Sequence, residues 1–373
     1  MSEWRKCKLG DFTEIQTGPF GSQLHASDYV DAGIPSIMPF NIGNRLEIRI
    51  DSIAYIKEID AKRLEKYLVK ESDIVYSRRG DVEKCAFITN KQSGWLCGTG
   101  CLRIRFISNK LLPKFCAYYL STEDIKSWVS SNAVGTTMPN LNSSILKQLP
   151  LNLPLLDEQK AIASVLSSLD DKIDLLHCQN KILEAMAETL FRQWFVEEAQ
   201  DDWKEKLLGD FFEISSGKGL RKERLIEDGL YPVLGANGEI GRTNDFLFDE
   251  KLLFTGRVGT LGNIFIVDNK KVWLSDNTLV FRKIQYFYFV YFTLKLTRLA
   301  DYNAGSTQPL IRQSDIKEIS ILSPINAKLD IFEEQAKSFF MKIKSNNNQI
   351  RTLETLRDTL LPKLMSGEVR VAV

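Results

Sequence analysis

The chain repeats itself. Trp4-Arg5-Lys6-Cys7-Lys8-Leu9-Gly10-Asp11-Phe12 returns as Trp203-Lys204-Glu205-Lys206-Leu207-Leu208-Gly209-Asp210-Phe211. Glu14-Ile15, followed by Gly18, returns as Glu213-Ile214, followed by Gly217. Gly135-Thr136-Thr137-Met138-Pro139 returns as Gly305-Ser306-Thr307-Gln308-Pro309. Each copy closes with a long heptad-patterned segment. A unit of about half the chain is far longer than the roughly 20–50 residues of a solenoid repeat. Two copies of one domain-plus-helix unit imply an internal pseudo-two-fold. Such a molecule suits a ligand made of two similar halves, of which duplex DNA is the commonest.

Charge narrows the possibilities. The net charge is +1 over 373 residues, whereas a non-specific polyelectrolyte binder is far more basic. The distribution is uneven: residues 153–198 carry four basic and nine acidic side chains, and residues 326–373 carry eight and six. DNA binding by this chain therefore needs local patches or a partner that supplies much of the phosphate grip. A hydrophobic content of 44% is that of a folded domain protein. The Met-Ser-Glu-Trp start lacks the apolar run of a signal peptide, and no stretch reaches the ~18 apolar residues of a membrane span, so the cytoplasm is the expected compartment. All six cysteines lie in the first half, with no C-x-x-C pair and only two histidines in the chain. No metal site is expected, and reduced thiols account for the cysteines.

Both repeats read as mixed α/β with more strand than helix. Ile74-Val75-Tyr76 leads into the basic turn Ser77-Arg78-Arg79-Gly80-Asp81, and Leu102 to Phe106 alternates as a strand does. Phe115 through Val129 has helical spacing. In the second copy Leu252-Leu253-Phe254 enters Thr255-Gly256-Arg257-Val258-Gly259, Ile264 to Val267 forms a strand, and Tyr286 to Leu299 a helix.

The strongest periodicity is a heptad seam. Leu166, Leu169, Ile173, Leu176, Asn180, Leu183, Ala187, Leu190 and Trp194 alternate steps of three and four. A shift of 170 residues gives Ala336, Phe339, Ile343, Asn346, Ile350, Leu353, Arg357, Leu360 and Leu364. Pro154 and Pro324 precede the two helices, and Asp157-Glu158-Gln159 and Glu333-Glu334-Gln335 are expected in their first turns. Each helix should run about 40 residues, and the acidic first and basic second should pair antiparallel. Asn180 and Asn346 in the seam either specify register or are solvated at an opening. Arg357 in the seam suggests an exposed or partner-facing stretch.

A search for catalysis returns little. The chain has no Pro-Pro dipeptide and so lacks the Asn/Asp-Pro-Pro-aromatic loop of adenine methyltransferases. Gly235 to Gly241 is glycine-rich but flanked by turn residues, and Gly217-Lys218-Gly219 lacks P-loop spacing. What repeats is a polar loop after a strand. Arg78-Arg79-Gly80 and Arg257 occupy corresponding places. Arginine on such a turn can reach a guanine edge or clamp a phosphate, or it can be a solvated turn residue. Thr136 and Thr137, with Asn140 beside them, and Ser306, Thr307 and Gln308 offer small polar groups to phosphate, or serve as structural connections. Lys218, Arg221, Lys222 and Arg224 form a basic cluster or a charged helix face.

These features together resemble the specificity (S) subunits of type I restriction–modification systems. The resemblance spans the whole chain. It rests on the duplicated Trp-x5-Gly-Asp-Phe openings, on Leu190-Phe191-Arg192-Gln193-Trp194-Phe195-Val196 ending the central helix, and on Leu360-Leu361-Pro362-Lys363-Leu364-Met365-Ser366-Gly367-Glu368-Val369 near the C-terminus. It implies an α+β fold: two mixed α/β target-recognition domains in pseudo-two-fold arrangement, separated by two long antiparallel coiled-coil helices. The expected division is 1–152 and 199–325 for the domains, with helices in 153–198 and 326–373. It implies that each domain reads half of a bipartite, asymmetric double-stranded target and that the helices fix the unread spacer. Two methyltransferase (M) subunits would bind S-adenosylmethionine and methylate adenine. Restriction (R) subunits would use ATP and Mg2+. The S chain itself would bind no cofactor and catalyse nothing. Two other classes compete: a self-contained DNA-modifying enzyme with two recognition domains, and a coiled-coil protein adaptor.

Overall fold

The computed structural model describes residues 4–135, 139–200, 202–258, 262–302 and 310–371. It forms two compact units, Met1–Leu175 with Gln349–Val373, and Leu176–Asn348. Each unit holds one repeat with part of a central helix, Leu156–Arg192, and part of a terminal helix, Asn326–Ser366. The architecture is α+β with a repeated domain, and no helix among the described residues is long and apolar enough to cross a membrane.

In the first unit, Arg5–Lys8 pairs antiparallel with Pro150–Leu153, closing the domain on itself. The strands Thr13–Thr17, Cys101–Phe106, Ile74–Ser77 and Cys85–Phe87 follow in that spatial order in one antiparallel sheet. A second sheet contains the parallel pair Ile34–Ile37 and Leu96–Cys97. The alternation of 101–106 sends Leu102 and Ile104 into the main core with Phe115, Leu120, Leu166 and Leu364. Its polar face is also covered. Arg103 donates to the Lys66 carbonyl at 2.6 Å, and Arg105 grips Asp73 through two bonds of 2.9 and 2.6 Å. The helical spacing from Phe115 to Val129 resolves into two helices, Pro113–Leu120 and Glu123–Asn132. The break falls at Ser121-Thr122, whose hydroxyls bond back to the carbonyls of Tyr118 and Tyr119 and so compete with the helical ladder.

The second unit repeats the plan. Lys204–Leu207 pairs with Ser320–Ser323. One six-stranded sheet runs Glu213–Ser216, Thr278–Arg282, Phe248–Gly256, Ile264–Leu274, Tyr231–Gly235, Gly238–Thr243. The long strand Ile264–Leu274 joins what the first unit keeps as two sheets: it pairs antiparallel with 248–256 and parallel with 231–235. A 3-10 turn at Leu299–Tyr302 follows the helix Phe287–Leu296. The core is aromatic: Phe195 lies 5.1 Å from both Phe289 and Phe332. Equivalence extends to single contacts. A Cβ on Gly10 would meet Lys147 Cβ at 2.9 Å, and one on Gly209 would meet Lys317 Cβ at 2.8 Å.

Within each unit the two helices run antiparallel. In the first, Asp170 meets Arg357 at 3.0 Å and Glu158 meets Arg370 at 2.7 Å. In the second, Asn180 and Asn346 meet at 2.9 Å, and Lys328 approaches Glu198 at 3.7 Å. Ile173, Leu176, Asn346 and Ile350 are buried along the seam, while Leu169, Leu183, Leu190, Phe339, Ile343, Leu353 and Leu360 are half-buried. Arg357 does not face outward: its guanidinium bonds to Asp170, which also accepts the Tyr118 hydroxyl at 2.6 Å. Asn346 is fully buried rather than solvated, and the Asn180 amide donates to Asn347 at 2.8 Å. The first-turn expectation holds for Asp157 and Glu158 only. The terminal helix begins at Asn326 and has no acidic residue in its first turn. Glu333 lies further in, where it accepts the backbone N–H groups of Tyr288 and Phe289 at 2.7 and 2.8 Å. It caps a neighbouring helix instead of its own.

Candidate nucleic-acid interface

The corresponding loops of the two repeats are built by the same backbone bonds. In the first unit the strand Ile74–Ser77 ends at Arg78, whose N–H donates to Gly100 O at 2.8 Å and whose carbonyl accepts Leu141 N–H at 2.9 Å. In the second the strand Phe248–Gly256 ends at Arg257, whose N–H donates to Asn277 O at 2.8 Å and whose carbonyl accepts Ile311 N–H at 3.1 Å. Both arginines are thus pinned at main chain between the same two neighbouring segments. Glycine lets a further strand end pack closely against one of these segments in each unit. A Cβ on Gly18 would sit 2.2 Å from Gly98 O, and one on Gly217 would sit 2.1 Å from Ser275 O.

The side chains at these positions are conspicuous for what they lack. Arg78 and Arg257 each bury Nε without a hydrogen-bond partner among the described residues, and Asn140 buries an unpaired Oδ1. Buried unpaired polar atoms are uncommon and call for an explanation, such as a bound water, an ion or a ligand. Asn140 bridges to both Arg79 and Val134, which places it on the Arg79 loop. Gly80 takes φ +75, a left-handed turn conformation that favours glycine. Burial first, and then the adjacent Arg79 charge, lower the pKa of Arg78 from its ordinary value. A phosphate brought against the guanidinium would oppose both effects by favouring its charged form. Arg257 is steadied by Ser216 Oγ at 3.3 Å, which also accepts from Gln313 at 3.1 Å.

Ion pairing separates these cations from others. Arg78, Arg79, Lys218, Arg221, Lys222 and Arg257 make no salt bridge among the described residues. Arg103, Arg105, Arg242 and Arg282 are each neutralised by a carboxylate. So is Arg224, which pairs with Asp245 and lies over the Trp273 ring, apart in chemistry from its sequence neighbours Arg221 and Lys222. Lys218 is exposed and its backbone is fixed on both sides: its N–H donates to Leu274 O and its carbonyl accepts Trp273 Nε1 at 2.7 Å. Thr136, Thr137, Ser306, Thr307 and Gln308 lie outside the described residues. Sequence reasoning passed over Phe20, Ser216 and Gln313. The first two flank the repeated Gly18 and Gly217, so the spacing of those glycines was the available signal.

Two copies of one domain, each presenting after a strand an arginine without an ion pair among the described residues, and each packed on part of a long antiparallel helix pair, make a repeated architecture suited to recognising DNA. The chain belongs to the type I restriction modification DNA specificity domain family, whose model matches residues 1–185 and again residues 200–354. It is a DNA-recognition component of that system and not a catalytic one. The chain is similar to the type I restriction enzyme MjaIX specificity subunit of Methanocaldococcus jannaschii, 26% identical and covering 99% of this chain and 94% of that one. It is 22% identical to the HindI specificity subunit of Haemophilus influenzae, covering 99% and 100%. The crystal structure of the type I restriction–modification S subunit from M. genitalium has the same fold, with a TM-score of 0.61 at 20% identity over 97% of this chain and 96% of that one.

Proposed function

We propose that this chain reads a bipartite, asymmetric duplex target, one half with each repeat, and that its two long helices set the unread spacer. On this proposal the helices also dock two methyltransferase subunits. Those subunits bind S-adenosylmethionine and methylate adenine, and restriction subunits that use ATP and Mg2+ join the assembly. On the same proposal this chain itself binds none of these cofactors. The observation that carries the proposal is the matched pair Arg78 and Arg257, pinned by equivalent backbone bonds and each with an Nε unpaired among the described residues. The net charge of +1 fits a reader whose grip on phosphate is shared with partners.

The test uses the chain purified with its methyltransferase, after its target has been found by mapping methylated adenines. Arg78→Ala should weaken binding when one half-site is intact and the other scrambled, and Arg257→Ala should do the reverse. Each loss should be about tenfold to a hundredfold if a base edge is read. A phosphate contact would show as a salt slope reduced by about one. Wild-type binding by both variants on both half-sites would overturn the assignment.

A further inference from the structure

The two repeats differ where their loops are otherwise alike. After Gly18 the first repeat continues Pro19-Phe20-Gly21, whereas after Gly217 the second continues Lys218-Gly219-Leu220. Phe20 is 58% exposed, far from the burial expected of a phenylalanine in a packed domain. A second Pro-Phe pair, Pro39-Phe40, lies in the same unit, with Phe40 62% exposed. Both pairs touch one loop. Thr99 Oγ1 donates to Pro19 O at 2.9 Å, and a Cβ on Gly100 would meet Pro39 Cγ at 3.1 Å. The same Gly100 accepts the N–H of Arg78, whose guanidinium lies 6.0 Å from the Phe20 ring centroid.

Phe20 therefore lies beside an arginine that has no ion pair and no Nε partner among the described residues, with Arg79 next in sequence, and Pro39 brings the exposed Phe40 to the same loop. Exposed rings beside unneutralised cations match the chemistry of a nucleic acid, which offers phosphate and the π-faces of bases together. We infer that the first repeat reads its half-site partly by stacking, with Phe20 and Phe40 against bases at a step that Arg78 and Arg79 help to hold open. Proline fixes the backbone ahead of each ring and so limits the entropy lost on contact. Wedging is cheapest at flexible pyrimidine–purine steps, so the first half-site should contain one. The second repeat, with Lys218 and Gly219 in the corresponding place, grips by charge instead. This inference rests on the DNA-reading role proposed above.

The experiment uses the chain with its methyltransferase and target duplexes carrying 2-aminopurine at successive positions of each half-site. Wild type should raise 2-aminopurine fluorescence at one step of the first half-site and leave the second near its free-duplex level. The double variant Phe20→Ala/Phe40→Ala should abolish that rise and weaken binding about tenfold or more. Phe20→Trp should restore the signal when introduced with Phe40 intact. The unfolding midpoint should not fall, since both rings are exposed. Double-variant binding and fluorescence equal to wild type would overturn the inference while leaving the arginine result standing. Unchanged DNA binding with lost methyltransferase assembly would assign the surface to a protein and also overturn it. Absence of any selective binding by wild type would instead overturn the DNA-reading role itself.

Discussion

At the scale of single residues, position in the fold decides what each charge does. Arg78 and Arg257 come from loops that look like ordinary turns in sequence, yet their backbones are pinned and no salt bridge among the described residues neutralises them. Arg357 sits at a seam position and is consumed internally by Asp170. Glu333 shows how far context reaches. Burial pushes its carboxyl up to about 7, against the two backbone N–H groups of Phe289 and Tyr288 that favour the charged form. An acid whose folded pKa is raised favours the protonated native state, so stability is fully present below the ordinary carboxyl value. It is lost as pH rises from about 4.5 towards 7, then levels off. Glu333→Gln keeps an oxygen to accept the N–H groups and cannot ionise. Urea unfolding of both proteins from pH 4 to 8 should show wild type losing roughly 1–3 kcal/mol relative to the variant across that window. Parallel pH curves would contradict this. None of this capping role was legible in sequence, because the residues that Glu333 caps lie 44 and 45 positions away.

At the scale of elements, the heptad rhythm foretold both helices because a 3,4 spacing leaves few other ways to bury Leu, Ile and Phe. Their bounds, Leu156–Arg192 and Asn326–Ser366, follow the two prolines closely. Strand positions were readable from alternation in 101–106 and from apolar runs at 74–76 and 264–267. The pairing of strands was not readable, since Ile34–Ile37 and Leu96–Cys97 join in parallel across about sixty residues with no local signal. The buried Asn346 bonded to Asn180 is a costly choice inside an apolar seam. Replacing both asparagines with leucine should raise the thermal midpoint. It should also yield larger species by light scattering, because an all-apolar seam no longer penalises slipped or intermolecular pairing. A lower midpoint with an unchanged size would mean that the amides stabilise the seam outright. The proposed role of the helices as a spacer is tested by inserting one heptad between Leu176 and Asn180. The insertion preserves phase and adds ~10 Å at 1.5 Å per residue, or about three base pairs at ~3.4 Å each. Three base pairs also turn the duplex by about a third of a turn, of which helix supercoiling supplies little. The mapped spacer should therefore lengthen by fewer than three base pairs, with weaker binding. A single-residue insertion should do worse, since it throws Leu183, Leu190 and Trp194 out of phase. An unchanged spacer with full activity would show that the helices do not measure distance.

At the scale of the whole molecule, duplication is the organising fact, and it was the part most legible in sequence. Blocks around Gly10 and Gly209, and around Gly18 and Gly217, survive because each glycine has backbone or a lysine stem against its Cα, a demand the fold makes twice. Between those blocks the repeats diverge, from split sheets to one continuous sheet and from Pro19-Phe20 to Lys218-Gly219. That pattern suits a common scaffold carrying two different readers, and it is why the candidate contacts were only half visible: the repeated frame marks Arg78 and Arg257, while Phe20 and Lys218 lie where the copies disagree. Each unit has its own buried core, so the halves should be exchangeable. The most direct test replaces residues 1–152 with the corresponding region of a relative that has a different target, and maps methylated adenines in cells supplying the methyltransferase. One half of the recognised sequence should change, with the other half and the spacer length retained. A map in which both half-sites change together, or in which the spacer changes while both halves persist, would contradict a reader built from two independent modules on a fixed pair of helices.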